Sequence, residues 1–206
     1  FVLESALARP VGLNFVTVLQ EMQREGHELG LHGGMDHVVW SRRFHELDEE
    51  ALQADVNESY GHFHRHLGRP AGFSSPGFQS DERVMRLLDR LGFLYNGDGI
   101  GGEPRRATAT GRPLRHWTIP VTLSGPRTIP FLEYHGARGT PEADVLRQLD
   151  EHLEAHELVV LYGHPCYEGV HEALLRKVFA AVLEGGFRFV TMQAVAEQLH
   201  SAALAR

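Results

Sequence analysis

Histidine is the residue type that stands out in this chain, with 14 among 206 residues. Two of them, His32 and His37, begin and end the segment HGGMDH. Neutral imidazoles are good ligands for zinc and similar divalent metals. On an α-helix this spacing would turn the two rings about 140° apart, so one helix cannot present both to one metal. A loop can, and the Gly pair supplies the backbone freedom that such a turn requires.

Two interpretations of this segment stay open. In the first, His32 and His37 bind a metal, and Asp36 is either a third ligand or a carboxylate that orients an imidazole. In the second, the segment is a polar loop whose histidines bond only to solvent and backbone. The spacing alone does not decide between them.

His164 is the third candidate. It follows the apolar run Leu158–Tyr162, and an imidazole with an ordinary pKa of about 6.5 suits a general acid or base. The alternative is a buried histidine that is bonded to a carbonyl. Asp98 is a candidate carboxylate partner for an imidazole, although its surroundings, NGDG, also have the composition of a tight turn. Cys166 lies so close to His164 in sequence that the spacing does not favour a Cys–His nucleophile pair.

The elements that position these candidates follow from the hydrophobic pattern. Apolar runs alternate with amphipathic stretches, which predicts an α/β fold with a parallel sheet or barrel. Functional groups in such folds collect at the C-terminal ends of strands, where we expect His32, Asp98 and His164. We expect strands over residues 28–31, 73–78, 93–95, 117–123, 158–162 and 187–191. We expect helices over residues 16–26, 48–67, 80–91 and 170–183, and from residues 140 and 193, with Asp48, Ser80 and Thr140 as N-caps.

Length and charge set further bounds. The length fits one domain, which we expect to span residues 1–206. The formal net charge of −7 argues against a nucleic-acid partner. The lone cysteine excludes an intramolecular disulfide, and no apolar run approaches the length of a transmembrane helix.

Several motifs together resemble a known family. The stretch Gly26–His32, followed by Asp36 and His37, resembles the second motif of the polysaccharide deacetylase (NodB-homology) family. Later stretches resemble the branch of that family that contains the 4-deoxy-4-formamido-L-arabinose-phosphoundecaprenol deformylases; these stretches are Asn96–Asp98, Ile119–Leu123 and His164–Gly169. The resemblance extends from about residue 26 to residue 199. Each motif is modest alone, and their order and spacing make the set specific.

The resemblance implies a fold and a reaction. The fold is a distorted, incomplete (β/α) barrel of about six to seven parallel strands that lacks its first strand. The function is that of a metal-dependent hydrolase, which removes an acetyl or formyl group from the nitrogen of an amino sugar. A polyprenyl-linked amino sugar is one candidate substrate. We expect a cytoplasmic protein, peripheral at the membrane if its substrate is lipid-linked.

The resemblance also assigns roles to individual residues. His32 and His37 are expected to bind a divalent metal, which we expect to be zinc. His164 is expected to be the general acid, oriented by Asp98. Ser75 and Phe78 are expected to bind the substrate.

The chain departs from the family pattern at three points, one of which is the loss of the Arg of the third motif, where this chain has the segment SSPGF. The Asp pair of the first motif, which supplies the base and a metal ligand, has no counterpart before His32. The interval from His32 to His37 is one residue longer than the usual spacing. These departures leave a second hypothesis, in which the chain is a degenerate relative that binds sugar or metal without turnover.

Overall fold

The computed structural model describes residues 15–204, in which helices alternate with short strands. The first half of the chain contains α1 Val16–Arg24, β1 Leu31–His32, α2 His37–Arg43, α3 Glu49–Leu67, β2 Gly72–Ser74, α4 Glu82–Leu91 and β3 Tyr95–Asn96. The second half contains β4 Arg105–Ala109, β5 Arg112–Thr118, α5 Phe131–Arg138, α6 Glu142–Ala155, α7 Pro165–Glu168, α8 Glu172–Glu184 and α9 Met192–Leu204. Short 3-10 turns lie at Phe44–Glu46, Pro76–Phe78, Pro126–Thr128 and Gly169–His171.

The described chain divides into two compact units. The first contains the chain up to Asp98, Arg105–Ile119 and the segment from Thr191 onward. The second contains Gly99–Pro104 and Pro120–Val190. The single domain over residues 1–206 stays a prediction, and the part of the chain before residue 15 lies outside the described residues.

A five-stranded sheet forms the centre of the first unit, in the order β1-β2-β3-β5-β4. Strands β1, β2, β3 and β5 are parallel, and β4 pairs with β5 in an antiparallel hairpin. The register places Leu31 beside Phe73 and Asn96 beside Thr118. The C-terminal ends of the parallel strands therefore lie along one edge, and the predicted α/β class is confirmed.

The number of strands differs from the prediction. Within residues 15–204 the sheet has five strands, one of them antiparallel, and hydrogen bonds do not close it into a barrel. The predicted strands over 158–162 and 187–191 are not strands in the structure. In the first of these segments, Val160 exchanges hydrogen bonds with Thr122, but no ladder continues along it. An apolar run becomes a strand only where a neighbouring backbone pairs with it.

The hairpin of β4 and β5 has no counterpart among the predicted strands before residue 117. Thr110 and Gly111 join the two strands, with φ of 49° and 73°. Positive φ at both central residues is the signature of a type I′ turn, which matches the twist of a hairpin. A Thr-Gly pair is a weaker signal for this turn than Asn-Gly, because the bulky, β-branched threonine is strained at positive φ.

Each unit has its own hydrophobic core. In the first unit, α2, α3 and α4 bury side chains against the sheet, including Trp40, Val56 and Leu88, which are each 0% exposed. In the second unit, the core contains Val145 and Leu149, also 0% exposed. Full burial of a large apolar side chain contributes roughly 1.5–3 kcal/mol, so these contacts account for much of what holds the helices in place.

Helix caps fix where the helices begin. Asp48 caps α3, as predicted. Asp81, not Ser80, caps α4, because the carboxylate of Asp81 accepts two backbone N–H groups of the first turn. Pro141, rather than Thr140, stands at the N-cap position of α6.

One further contact ties the start of the sheet to α9. Tyr95 donates its hydroxyl proton to Glu28 Oε1 at 2.9 Å, and the backbone N–H of Gln193 donates to Glu28 Oε2 at 2.8 Å. Gly72 is required here, since a Cβ would lie 2.1 Å from the Tyr95 ring.

No helix within residues 15–204 combines the length and the apolar character needed to cross a membrane.

Candidate active site

The sheet edge where β1, β2 and β3 end carries most of the predicted site residues. His32 ends β1 and His37 is the first residue of α2. The centroids of the two imidazole rings lie 5.1 Å apart, with the ring planes at 45°. Both residues are exposed. The loop between them therefore brings together the two histidines that the sequence proposed as metal ligands.

The two glycines of this loop are pressed against their neighbours. Gly33 has a left-handed φ of +77°, and a Cβ there would lie 2.7 Å from the ring of Pro76. A Cβ on Gly34 would lie 1.7 Å from a carboxylate oxygen of Asp55. The Gly pair therefore allows close approach of other elements as well as the turn itself.

Asp36 is the N-cap of α2. Its Oδ1 accepts hydrogen bonds from the backbone N–H groups of Val38 and Val39, at 2.9 and 3.0 Å. Such a cap satisfies donors that have no partner inside the helix. Asp36 thereby fixes the first turn of the helix that carries His37. Its predicted roles as a metal ligand or as an imidazole partner stay predictions.

The end of β2 orients His32. The Nδ1 atom of His32 lies 2.9 Å from Ser74 Oγ and 3.1 Å from the Ser74 carbonyl oxygen. A carbonyl oxygen only accepts hydrogen bonds, so this contact favours the tautomer with the proton on Nδ1 and the lone pair on Nε2. Metal-binding histidines are commonly oriented by such a bond from their second ring nitrogen.

Asp98 anchors the residue that follows Ser74. It is 8% exposed, and its two oxygens accept hydrogen bonds from the backbone N–H and the hydroxyl of Ser75, at 2.7 and 2.8 Å. Burial raises the pKa of Asp98 above its ordinary value, and the hydrogen bonds from Ser75 oppose that rise. The carboxylate of Asp98 therefore holds Ser75 in place, next to Ser74, which contacts the His32 ring.

The turn chemistry predicted for the NGDG segment is also present. The backbone N–H of Asp98 donates to Asn96 Oδ1 at 3.2 Å, as in a turn closed by an Asn side chain. Asn96 is 0% exposed, and its amide donates to Thr118 Oγ1 at 3.1 Å. The turn interpretation of this segment is therefore confirmed, and the role of Asp98 as an imidazole partner stays a prediction.

Phe78 has an unusual backbone. Its φ is 56°, in the left-handed region that aromatic residues rarely adopt. It ends the 3-10 turn Pro76–Phe78, and the indole N–H of the buried Trp40 donates to the carbonyl of the next residue, Gln79, at 2.9 Å. A conformation of this kind costs about 1–3 kcal/mol and is most often found at functional sites. Substrate binding by Phe78 and by Ser75, which is 3% exposed, stays a prediction.

The donor set around the two histidines is incomplete for a metal. Within residues 15–204, no group of three or more His, Cys, Asp or Glu side chains is placed to hold a metal ion. Structural and catalytic zinc sites use at least three protein ligands. His32 and His37 fit two ligand positions, and the described residues do not supply a third.

In the second unit, His164 meets a carboxylate that the sequence analysis did not single out. Glu133 Oε1 lies 2.6 Å from His164 Nδ1 and also accepts the backbone N–H of His164 at 3.0 Å. The His164 side chain is 54% exposed and that of Glu133 is 13% exposed. Glu133 is thus the carboxylate that contacts His164 in the second unit, and the orientation of His164 by Asp98 stays a prediction. Asp98 is instead engaged by Ser75.

Glu133 was missed because it lies in the first turn of α5, 31 residues before His164. No local spacing links the two positions. A Glu in the first turn of a helix is also common for electrostatic reasons alone, so its type carried no functional signal.

Comparison with known proteins identifies the fold. The chain is similar to a protein assigned as a polysaccharide deacetylase from Mycobacterium smegmatis, with a TM-score of 0.69 and 19% identity over 91% of this chain and 68% of that one. A second solved structure is Puue allantoinase, with a TM-score of 0.65 and 20% identity over 92% of this chain and 64% of that one. A third is assigned as a polysaccharide deacetylase from Pseudomonas aeruginosa PAO1, with a TM-score of 0.64 and 20% identity over 90% of this chain and 63% of that one.

A similarity at the level of sequence covers less of the chain. A protein of Shewanella sediminis, assigned as a 4-deoxy-4-formamido-L-arabinose-phosphoundecaprenol deformylase, is 25% identical over 92 residues. The match covers 44% of this chain and 30% of that protein. No family model matches the chain. The similarity to solved structures confirms the predicted resemblance: the chain has the fold of the polysaccharide deacetylases.

Proposed function

We propose that this chain is a metal-dependent hydrolase that removes an acetyl or formyl group from the nitrogen of an amino sugar. The observation that carries the proposal is the pair of adjacent imidazoles, His32 and His37, at the C-terminal edge of parallel strands in this fold. The match to a protein assigned as a sugar deformylase supports a lipid-linked amino sugar as one candidate substrate.

The reaction adds water across the amide. The C–N bond breaks, the hydroxyl of water joins the acyl carbon, and a proton passes to the departing amine. His32 and His37 would hold a divalent ion, expected to be zinc, and that ion would supply Lewis-acid polarisation of the acyl carbonyl. The bond of His32 Nδ1 to Ser74 supports this role, since it fixes the ring orientation.

In this proposal His164 donates the proton to the departing amine. The contact of Nδ1 with Glu133 holds the ring in one orientation, as a carboxylate does for the imidazole of a catalytic triad. Nε2 is then the nitrogen that exchanges the proton. Phe78 is proposed to contact the sugar, a role supported by its strained backbone.

A second candidate function is a relative that binds metal or sugar without turnover. One observation favours it: within residues 15–204, the two histidines lack a third ligand. Such a protein would retain the ring geometry of His32 and His37 and would release no amine.

The test is amine release from N-formylated and N-acetylated amino sugars, measured with added Zn²⁺ or Co²⁺. We expect release by the wild-type chain and a loss of at least about 100-fold in His32→Gln, since even indirect support of a metal ligand contributes 10–100-fold. His45→Gln is the matched control, because the His45 side chain is 77% exposed and contacts only Glu46 among the ion pairs of the described chain.

Two results would contradict the proposal. Zinc binding at one ion per chain with no amine release would favour the non-catalytic relative. Equal activity in His32→Gln and in His45→Gln would remove the histidine pair from the reaction.

A further inference from the structure

We infer that Asp55 and Ser59 of α3 are positioning residues that set the separation of His32 and His37. The inference rests on the proposed function of those two histidines. Asp55 and Ser59 are four residues apart in the helix and therefore share one face. Both contact the loop between the histidines, through different atoms of its backbone.

Asp55 holds the middle of the loop. Its Oδ1 accepts the backbone N–H of Met35 at 2.8 Å. Its Oδ2 occupies the space that a side chain on Gly34 would need, 1.7 Å from an ideal Cβ. The carboxylate of Asp55 therefore packs against Gly34 and accepts a hydrogen bond from Met35.

Ser59 holds the beginning of the loop. Its hydroxyl lies 3.2 Å from the carbonyl oxygen of Gly33 and 3.1 Å from that of Val56, and it is 7% exposed. A hydroxyl donates only one proton, so the two carbonyl groups share it. Asp55 and Ser59 together satisfy one acceptor and one donor of the loop backbone.

The helix that carries these two residues is a fixed platform. Leu52 and Val56, on the same helix, are 1% and 0% exposed in the core of the first unit. A loop with two adjacent glycines has little conformational preference of its own. The contacts from α3 therefore select one loop conformation, in which the two rings are 5.1 Å apart.

The experiment measures ring proximity without any metal. In the full chain with ¹³C-labelled histidine, a nuclear Overhauser effect between ring protons of His32 and His37 reports their separation. We expect it in wild type and in Asp55→Asn, whose amide oxygen still accepts from Met35, and we expect it to weaken in Asp55→Ala and in Ser59→Ala. Glu58→Ala is the matched control, because it removes an exposed carboxylate from the same helix.

Zinc titration of the same variants gives the second readout. Loss of an orienting contact lowers metal affinity by about 10–100-fold, so we expect Asp55→Ala to bind Zn²⁺ at least about tenfold more weakly than Asp55→Asn. Tryptophan fluorescence shows whether each variant is folded, and Ser59→Ala carries the test if Asp55→Ala is not.

An unchanged Overhauser effect in Asp55→Ala and Ser59→Ala would overturn the inference, as would an equal loss in Asp55→Asn and Asp55→Ala. The proposed function fails separately. A chain with the expected ring proximity that releases no amine from acylated sugars would refute the hydrolase and leave the positioning role standing.

Discussion

Replacement of Asp98 tests whether a buried carboxylate holds the strand end that orients His32. Asp98 is 8% exposed and accepts two hydrogen bonds from Ser75. Ser74, the neighbour of Ser75, contacts the His32 ring. Two substitutions separate the effects of shape and charge: Asp98→Asn keeps the shape and removes the charge, and Asp98→Ala removes both.

The expected magnitudes follow from these contacts. A hydrogen bond to a charged group contributes about 1.5–3 kcal/mol, and a buried donor left without a partner costs about 1–3 kcal/mol. Removal of the charge offsets part of this loss of unfolding free energy, because burial of a carboxylate is itself unfavourable. We therefore expect Asp98→Ala to lower the unfolding free energy by about 2 kcal/mol at neutral pH. In Asp98→Asn the amide can accept from the Ser75 N–H and donate to its hydroxyl, so we expect a change below about 1 kcal/mol.

The pH dependence separates the two variants further. Burial raises the pKa of Asp98 in the folded state above the ordinary 3.8. The folded protein therefore binds this proton more tightly than the unfolded chain. The stability that comes from the protonated carboxyl is complete below the ordinary pKa and is lost as the pH rises through the folded-state pKa. Asp98→Asn has no such loss, so its stability relative to wild type should increase with pH.

The assay is urea unfolding between about pH 4 and pH 8, followed by tryptophan fluorescence. The chain has 2 tryptophans, Trp40 and Trp117, and both lie in the same unit as Asp98. Glu50→Gln, at an exposed position of α3, is the control for loss of a carboxylate. The reasoning is refuted if wild type and Asp98→Asn share one pH slope, or if Asp98→Ala unfolds within about 0.5 kcal/mol of wild type.

Three further outcomes are expected. His116 is 0% exposed, and burial lowers its pKa. The stability that comes from the neutral imidazole is therefore lost as the pH falls from 6.5 through the folded-state pKa. Urea unfolding of His116→Gln should show a smaller loss of stability over this pH range. Glu133→Gln should lower kcat at least about tenfold, with KM unchanged in steady-state assays. Gly34→Ala should cost about 2 kcal/mol of unfolding free energy in wild type and less in Asp55→Ala, as a double-mutant cycle will show.

Local chemistry in the sequence predicted much of the site. The Gly pair between His32 and His37 indicated a loop, and the structure shows that loop with the two rings adjacent. Positions after short apolar runs indicated strand ends, and His32 and Asp98 lie at such ends. These features could be predicted because each depends on a few consecutive residues and on the geometry of parallel sheets.

Partners that come from distant helices could not be predicted. Glu133 meets His164 from α5, and Asp55 meets Met35 from α3. Each pairing depends on how a helix packs against the rest of its unit, and no spacing in the sequence encodes that distance. The sequence motif pointed to Asp98 as the partner of His164, which stays a prediction, whereas the contact with Glu133 depends on helix packing and gave no signal in the sequence.

The long interval between His32 and His37 shows why motif spacing and site geometry are separate questions. One residue more than the family spacing would change the position of His37 relative to His32 if nothing outside the loop fixed the loop conformation. At Gly33 and Gly34 of this interval, Pro76 and Asp55 leave no room for any side chain. The separation of the two rings is therefore a property of the loop together with α3. A change in Asp55 should alter it even though the motif itself is intact, and a search based on the motif alone would miss this dependence.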